Sequence, residues 1–378
     1  MVKPVSIAFV RQRYAQDGGA ERFVSRALDA LRSRNVSLTL VTREWRGGEG
    51  FDVITCNPFY LGRLWRDWSF ARAVCRELGK RSFDLVQSHE RLSCCDIYRA
   101  GDGVHREWLR QLARVRGPFG RLGIVLNPYH HYIKRAEKKM FTSPRLRAVI
   151  CNSRMVKDEI RRYFNVLDGK LHVIYSGVDT EVFHPRLRQH RAEIRARYSI
   201  PENATLFLFV GSGFERKGVA VLLEAMAQLP DNAHLLIVGR DKKSSGYENN
   251  ARALGIIGRV RFAGSQPDVK PFYGAADALV LPTLYDPFPN VILEAMACGL
   301  PVITSTKSGG AELLREGVNG FTCDALDVSG LIQRMQLITP ANALALGAAA
   351  RVTVEPMSIE RMGVELSRLY EEIGSHAR

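Results

Sequence analysis

The sequence predicts an α/β protein with parallel, doubly wound sheets, and three observations carry that expectation. Short apolar, β-branched runs alternate with helical patterns through most of the chain. Runs such as Leu206-Phe207-Leu208-Phe209-Val210 are apolar at every position, as strands covered on both faces are. The length, 378 residues, suits two domains of ~100–200 residues, each with its own core.

In the first half, strands are expected at Val5–Val10, Ser37–Thr42, Asp84–Ser88, Arg147–Asn152 and Leu171–Tyr175. Helices are expected at Ala20–Ser33, Leu64–Gly79 and Ser153–Phe164. Gly101–Tyr132, with Gly and Pro breakers amid arginines, reads as a mobile insertion. In the second half, strands at Thr205–Gly211, Ala233–Gly239, Val260–Ala263, Ala278–Pro282 and Pro301–Thr304 alternate with helices near Lys217–Gln228, Glu248–Leu254, Lys270–Ala275 and Asn290–Cys298. The pattern breaks near Gly177–Pro185, which divides the chain into residues 1–180 and 181–357.

Composition narrows the class. No apolar run reaches the ~18–20 residues of a membrane span. The run at Val5–Val10 is short for a signal peptide and is followed by Arg11 and Arg13, so a cytoplasmic location is expected. Seven scattered cysteines suggest neither a disulfide framework nor a zinc site; they read as small buried residues in a reducing compartment. The net charge of +15 favours anionic partners, and the excess is local: residues 106–147 hold eleven cations against Glu107 and Glu137. No zinc-finger spacing or RNP-type aromatic motif accompanies them, so nucleic acid is not expected.

Four elements suit a phosphorylated sugar ligand. Gly18-Gly19, between the first strand and a helix, lets the backbone come close to a phosphate; taken alone it is equally a tight turn. Gly211-Ser212-Gly213-Phe214-Glu215-Arg216-Lys217-Gly218 places two cations at a glycine-rich strand-to-helix turn, where they suit a diphosphate. Asp286 lies beyond the carboxyl end of the strand Ala278–Pro282, and Glu294 about two turns into the helix that follows Asn290. Ligands of open α/β sheets bind beyond those strand ends, and carboxylates there accept hydrogen bonds from vicinal hydroxyls. Ser308-Gly309-Gly310 offers backbone N–H groups after the strand Pro301–Thr304.

The stretch Ala275-Ala276-Asp277 through Asp286 and Glu294-Ala295-Met296-Ala297-Cys298-Gly299-Leu300-Pro301-Val302-Ile303 resembles the donor-binding signature of retaining glycosyltransferase family 4. Arg216-Lys217 and Gly18-Gly19 match the same family. The resemblance implies a GT-B fold of two Rossmann-like domains facing a cleft, no cofactor or essential metal, and a last helix within 358–378 that crosses back to the first domain. It implies that Glu294 binds the ribose, that Asp286, where most members have Glu, holds hexose hydroxyls, and that Lys217 and Arg216 stabilise the departing diphosphate, with a backbone N–H from Gly19. Ser212 stands where many members carry an arginine.

Residues 210–219 and Cys95-Asp96-Ile97-Tyr98-Arg99-Ala100-Gly101-Asp102 are similar to lipopolysaccharide core glucosyltransferases acting on heptose, in which an acid, here Asp102, replaces a histidine beside the sugar. The partners implied are a UDP-sugar donor and a phosphorylated glycolipid acceptor, with peripheral contact to the anionic inner face of the cytoplasmic membrane. Arg106, Arg110, Arg114, Arg116, Lys134, Arg135, Lys138 and Lys139 would face acceptor or headgroups, and Trp108, Tyr129 and Tyr132 the interface. Asp102, His105 and His89 are the candidate general bases. A nucleotide-sugar epimerase of the same architecture, a transferase for capsule or exopolysaccharide, and a non-catalytic binding protein are the alternatives.

Overall fold

The computed structural model describes residues 5–13, 36–44 and 52–375. Gly18, Gly19 and the helix expected at Ala20–Ser33 lie outside these residues. The chain divides into two units, Met1–Gly177 with Ile359–Arg378, and Val178–Ser358.

Among the described residues, the first unit contains a parallel sheet of seven strands: β1 (Val5–Val10), β2 (Val36–Thr42), β3 (Asp52–Thr55), β4 (Leu85–Ser88), β5 (Ile97–Arg99), β6 (Ala148–Cys151) and β7 (Leu171–Val173). Their order is β3-β2-β1-β4-β5-β6-β7. Side chains alternate between two cores, as the period of a strand requires. Ala8 and Val10 join Phe70, Val74, Tyr98, Met140 and Val156 on one face. Ile7 and Phe9 join Met362, Leu366, Leu369 and Tyr370 on the other. The four last-named residues belong to α13 (Ile359–Ser375), whose Tyr370 hydroxyl donates to Gln87 Oε1 at 2.8 Å.

The other helices of this unit are α1 (Gly62–Leu78), α2 (His105–Arg114), α3 (Pro118–Leu126), α4 (Pro128–Phe141) and α5 (Arg154–Phe164). The mobile insertion expected at Gly101–Tyr132 is corrected: the segment is ordered as α2, α3 and the start of α4. Pro118 and Pro128 are helix starts rather than breakers, because the first turn needs no N–H from them. Strands β3 and β5, of four and three residues, were too short to register as patterns.

The cysteine expectation also needs correction. Cys75 on α1 and Cys94 before β5 form a disulfide. They sit on separate elements, and only the packing of α1 against the β4–β5 connection joins them, so their spacing carries no signal. The other five are buried thiols.

The second unit contains, among the described residues, a six-stranded parallel sheet in the order β10-β9-β8-β11-β12-β13. Its strands are β8 (Thr205–Val210), β9 (Ala233–Val238), β10 (Val260–Gly264), β11 (Ala278–Leu281), β12 (Val302–Ser305) and β13 (Gly320–Cys323). Helices α6 (Arg191–Arg197), α7 (Val219–Ala227), α8 (Ser244–Ala253), α9 (Lys270–Ala275), α10 (Asn290–Ala297), α11 (Val328–Gln336) and α12 (Pro340–Val354) cover both faces. Asp277 pins the centre: its carboxylate accepts from Arg195 at 2.8 Å, Arg191 at 2.9 Å and the Leu206 N–H at 2.8 Å. The order reverses between β8 and β11, and this switch point leaves a crevice beyond the strand ends. Among the described residues no single helix is long and apolar enough to cross a membrane; α11 with α12, bent by 99°, passes on length and composition only.

Candidate active site

The site residues of the second unit come from the loops after β8 and β11, the two strands flanking the switch point, from the helix that follows the second loop and from the loop after β12. After β8 the chain turns sharply through Gly211 (φ +149°), Gly213 (φ +76°) and Gly218 (φ +77°). At Gly218 only glycine fits: a Cβ there would lie 2.0 Å from the Pro282 carbonyl oxygen at the end of β11. The loop is fixed on both sides. The Phe214 N–H donates to Asp241 Oδ2 at 2.9 Å, and the Arg216 carbonyl accepts from the Leu284 N–H at 2.8 Å. Buried Phe214 packs edge-on to Phe209 and Tyr247.

This frame aims both cations at one acid. Arg216 donates to Asp286 Oδ2 at 2.9 Å and to the Tyr285 carbonyl at 3.0 Å, and Lys217 Nζ donates to the same Oδ2 at 3.3 Å. Lys217 folds back over Gly211, where a Cβ would meet its Cδ at 2.7 Å. Burial disfavours the Asp286 carboxylate, but the charges of Lys217 and Arg216 outweigh it and hold its pKa below the usual range. Burial lowers the Lys217 pKa; Asp286 opposes that shift and Arg216 adds to it.

The Asp286 backbone is bridged to the loop after β12. Its N–H donates to the Lys307 carbonyl at 3.0 Å, and its carbonyl accepts from the Gly309 N–H at 2.8 Å. Gly309 and Gly310 are buried in a short 3₁₀ turn, and Gly310 lies against Ile292 of α10. Asn290 opens α10, and Glu294 sits on its second turn, 1% exposed, with Oε2 accepting from the Tyr273 hydroxyl at 2.9 Å. Arg216, Lys217, Asp286, Asn290, Glu294, Gly309 and Gly310 thus share the loops and helix start at one end of this sheet.

Sequence patterns do not single out Tyr273 or Asp241, and of Ser308 they mark the segment but not the hydroxyl. Tyr273 orients Glu294 from the neighbouring α9. Asp241 follows β9 and holds the glycine loop; an acid just past a strand was the available signal. The Ser308 hydroxyl is buried, with no hydrogen-bond partner among the described residues. A buried donor is ordinarily satisfied, so this group is suited to a ligand.

In the first unit, Asp102 lies in the turn after β5, half-exposed, with Arg91 3.7 Å away. Arg91 also pairs at 3.0 Å with buried Glu137, which accepts the first N–H of α2 from His105. The two candidate histidines are poor bases here. His89 is buried, and burial, with Arg99 and Arg11 adding, puts its pKa well below the ordinary value. His105 contacts His130 at 3.1 Å, and burial followed by the charges of Arg91, His130 and Lys134 lowers its pKa to about 3. Tyr129 turns its hydroxyl to Asp67 at 3.0 Å.

A Glycosyltransferase Family 4 model matches residues 17–182, and a model of Glycosyl transferases group 1 matches residues 190–342. The lipopolysaccharide core biosynthesis glycosyltransferase LpsE of Rhizobium meliloti is 28% identical over 344 residues, 89% of this chain and 90% of the relative. The lipopolysaccharide glucosyltransferase WaaG of Escherichia coli is 27% identical over 319 residues, 82% of this chain and 83% of its own. A crystal structure of WaaG shares the fold with TM-score 0.81 at 23% identity, covering 96% of this chain and 99% of that one. Anabaena HepE, solved with UDP-glucose, shares it with TM-score 0.72 at 19% identity, over 97% and 99% of the two chains. With its two halves matched in turn by those two models and its fold that of WaaG, the chain belongs to the family 4 and group 1 glycosyltransferases of GT-B fold, an enzyme related to the lipopolysaccharide core glucosyltransferases.

Proposed function

We propose that the protein transfers glucose from UDP-glucose, with retention of configuration, to a lipopolysaccharide core or related lipid-linked glycan, as a cytoplasmic enzyme peripheral on the inner face of the cytoplasmic membrane. The observation that carries this reading is the buried cluster in which Arg216 and Lys217 share Asp286, one turn-and-helix from Glu294. The names of LpsE and WaaG support the acceptor class, and that of WaaG together with the UDP-glucose bound by HepE supports the donor.

In this reading the donor exchanges the partners of the cluster. The diphosphate takes over Arg216 and Lys217, and sugar hydroxyls take over the Asp286 carboxylate. Glu294, held by Tyr273, accepts from the ribose hydroxyls, and Asn290, Gly309, Gly310 and the Ser308 hydroxyl line the same donor site. The acceptor hydroxyl attacks the anomeric carbon on the face from which UDP leaves; the C–O bond to the diphosphate breaks as the new one forms, and a phosphate oxygen takes the proton. Catalysis is then positioning and stabilisation of the leaving charge, which the two cations supply without cofactor or metal. Asp102, exposed where the histidines are not, is the candidate acid of the first unit.

The cations of residues 106–147, among them Arg106, Arg110, Arg114, Arg116, Lys134, Arg135, Lys138 and Lys139, would hold the phosphorylated acceptor and anionic headgroups. Anionic vesicles should therefore retain the protein at low salt and release it at high salt. A panel of UDP-glucose, UDP-galactose, UDP-N-acetylglucosamine and GDP-mannose tests the donor by thermal stabilisation, since the right one raises apparent stability by mass action. UDP release that requires acceptor, with an α-linked product by NMR, is expected. Epimerised sugar from donor alone would replace this reading by the epimerase. Glu294→Ala should mainly raise the donor KM and Lys217→Ala should mainly lower kcat; near wild-type kinetics in both would end the assignment.

A further inference from the structure

Among the charged groups of the first unit, Arg91 and Glu137 have no part in the donor cluster. Glu137 of α4 is 1% exposed, and its Oε1 accepts from the His105 N–H at the start of α2 and from Arg91 Nε, each at 3.0 Å. Its Oε2 is buried with no hydrogen-bond partner among the described residues. Burial disfavours this carboxylate, and the charge of Arg91 opposes that. A buried ion pair is weak evidence for stability, since apolar side chains of similar volume often serve as well or better, so its presence calls for a second reason. Arg91 supplies one. Its side chain is 15% exposed, and beyond Glu137 its other end faces Asp102, with Nη1 3.7 Å from Oδ2.

That distance decides what the pair can do. At 3.7 Å the two charges attract, but they are too far apart for a hydrogen bond. Among the described residues nothing donates a hydrogen bond to the Asp102 carboxylate, and its side chain is 53% exposed. The acid is therefore drawn to one side by charge while both oxygens keep their lone pairs for a ligand. An arginine suits this task better than a lysine, because its planar fork presents separate N–H groups to two carboxylates at once.

The backbone is anchored at both ends. The β4–β5 connection that carries Arg91 is tied to α1 by the Cys75–Cys94 disulfide. Within it, the Glu90 carbonyl accepts from the Ser88 hydroxyl at 2.7 Å and from the Leu92 N–H at 2.8 Å. The turn that carries Asp102 is held by the Ala100 N–H, which donates to the Ile150 carbonyl at 2.9 Å, and by the Asn152 side chain, which donates to the Gly101 carbonyl at 3.3 Å. With the backbone fixed on either side, the Asp102 side chain is the free variable, and Arg91 is the group that sets it.

We propose that Arg91 is a positioning residue for transfer: clamped by Glu137, it aims the Asp102 carboxylate at a hydroxyl of the reacting sugars without donating to it. The proposal rests on the transferase reading above, in which Asp102 is the candidate acid of the first unit.

A double-mutant cycle on the full chain tests it, with UDP release from UDP-glucose in the presence of heptose-terminated lipopolysaccharide as the assay. Arg91→Gln should lower kcat about ten- to a hundredfold, as a misplacement of about 1 Å does, and leave the donor KM unchanged. In an Asp102→Asn background the same substitution should add nothing, because no charge is left to aim. Arg91→Gln leaves Glu137 buried and unpaired, which can cost the fold. Arg91→Gln/Glu137→Gln removes both charges together and should lower kcat as much, with Tm near that of the parent. Equal falls in kcat with and without the Asp102 carboxylate, or a parental kcat in Arg91→Gln/Glu137→Gln, would overturn the role. So would a raised donor KM and a lowered Tm in that double variant, the mark of a purely structural pair. A parental kcat in Asp102→Asn, with acceptor-dependent UDP release intact, would leave the transferase reading standing and remove this one. Absence of acceptor-dependent release by the parent would remove both.

Discussion

Asp286→Asn tests the charge balance on which the active site rests. The carboxylate holds Arg216 at 2.9 Å and Lys217 at 3.3 Å, and Asp286 and Lys217 are each 8% exposed. Removing one partner of a buried ion pair costs about 3–5 kcal/mol, because the other charge is left unmatched. The Arg216 side chain is 37% exposed and keeps the Tyr285 carbonyl, so water absorbs most of its loss. The deficit falls on Lys217, and the lower end, about 3 kcal/mol, applies. For a unit of this size that is a fall of roughly 6–12 °C in Tm. The sign of the pH dependence follows from the direction of the lysine shift. Burial already lowers the Lys217 pKa and Asp286 opposes that, so the variant lowers it further. The deficit is then greatest at acid pH, where Lys217 must carry its charge, and shrinks as pH rises through the lowered pKa. UDP should reverse it, since a diphosphate supplies the missing negative charge. Thermal unfolding with and without saturating UDP is the assay, and UDP should raise the Tm of the variant by more than that of the parent. Equal stabilisation of both proteins would refute the idea that carboxylate and diphosphate compete for the same cations.

Three other substitutions probe the frame around that cluster. Ser308→Ala removes a hydroxyl without a hydrogen-bond partner among the described residues, so stability by denaturant titration should hold or rise slightly while the donor Kd weakens several-fold; a loss of stability with donor affinity intact would show a purely structural hydroxyl. Tyr273→Phe deletes the 2.9 Å hydrogen bond to Glu294, and steady-state kinetics should show the donor KM up about tenfold with kcat nearly unchanged. Gly218→Ala sets a Cβ 2.0 Å from the Pro282 oxygen at a φ of +77°, and chemical denaturation should register a loss of about 2–4 kcal/mol.

How far the sequence could be read varies with what a local pattern encodes. Strands β8, β9 and β11 are apolar at nearly every position, and their bounds lie within a residue of the expected ones. Asp286 and Glu294 were legible because the motif that carries them runs unbroken from β11 into α10. The pairing of Asp286 with Arg216 and Lys217 was not, since it joins residues about 70 positions apart through the adjacency of β8 and β11. Tyr273 and Asp241 were missed for the same reason: each acts across a strand order that no linear pattern states. The helices within Gly101–Tyr132 were obscured by their prolines, which signal a break unless they are placed in a first turn. Cys75 and Cys94 show the limit most plainly, because a disulfide between separate elements leaves no trace in spacing.

The proposed function gives charge two separable tasks in this chain, and salt distinguishes them. Among 54 lysines and arginines, nothing in composition marks out Arg216 and Lys217. What marks them is a shared buried acid at the switch point of a sheet. The cations of residues 106–147 stand in the opposite situation. Their two acids are both buried and committed, Glu107 to Arg110 and Glu137 to Arg91 from outside the segment, and of the segment's cations Arg145 is also paired, with Asp96, so a large net positive charge remains. Exposed charges are screened over a Debye length of about 10 Å at 0.1 M salt, whereas buried pairs are screened far less. Raising the salt should therefore release the protein from anionic vesicles while the KM for a soluble donor moves little. If the two fell in parallel, one set of exposed cations would be serving both membrane and donor, and the buried cluster around Asp286 would lose its claim to the diphosphate.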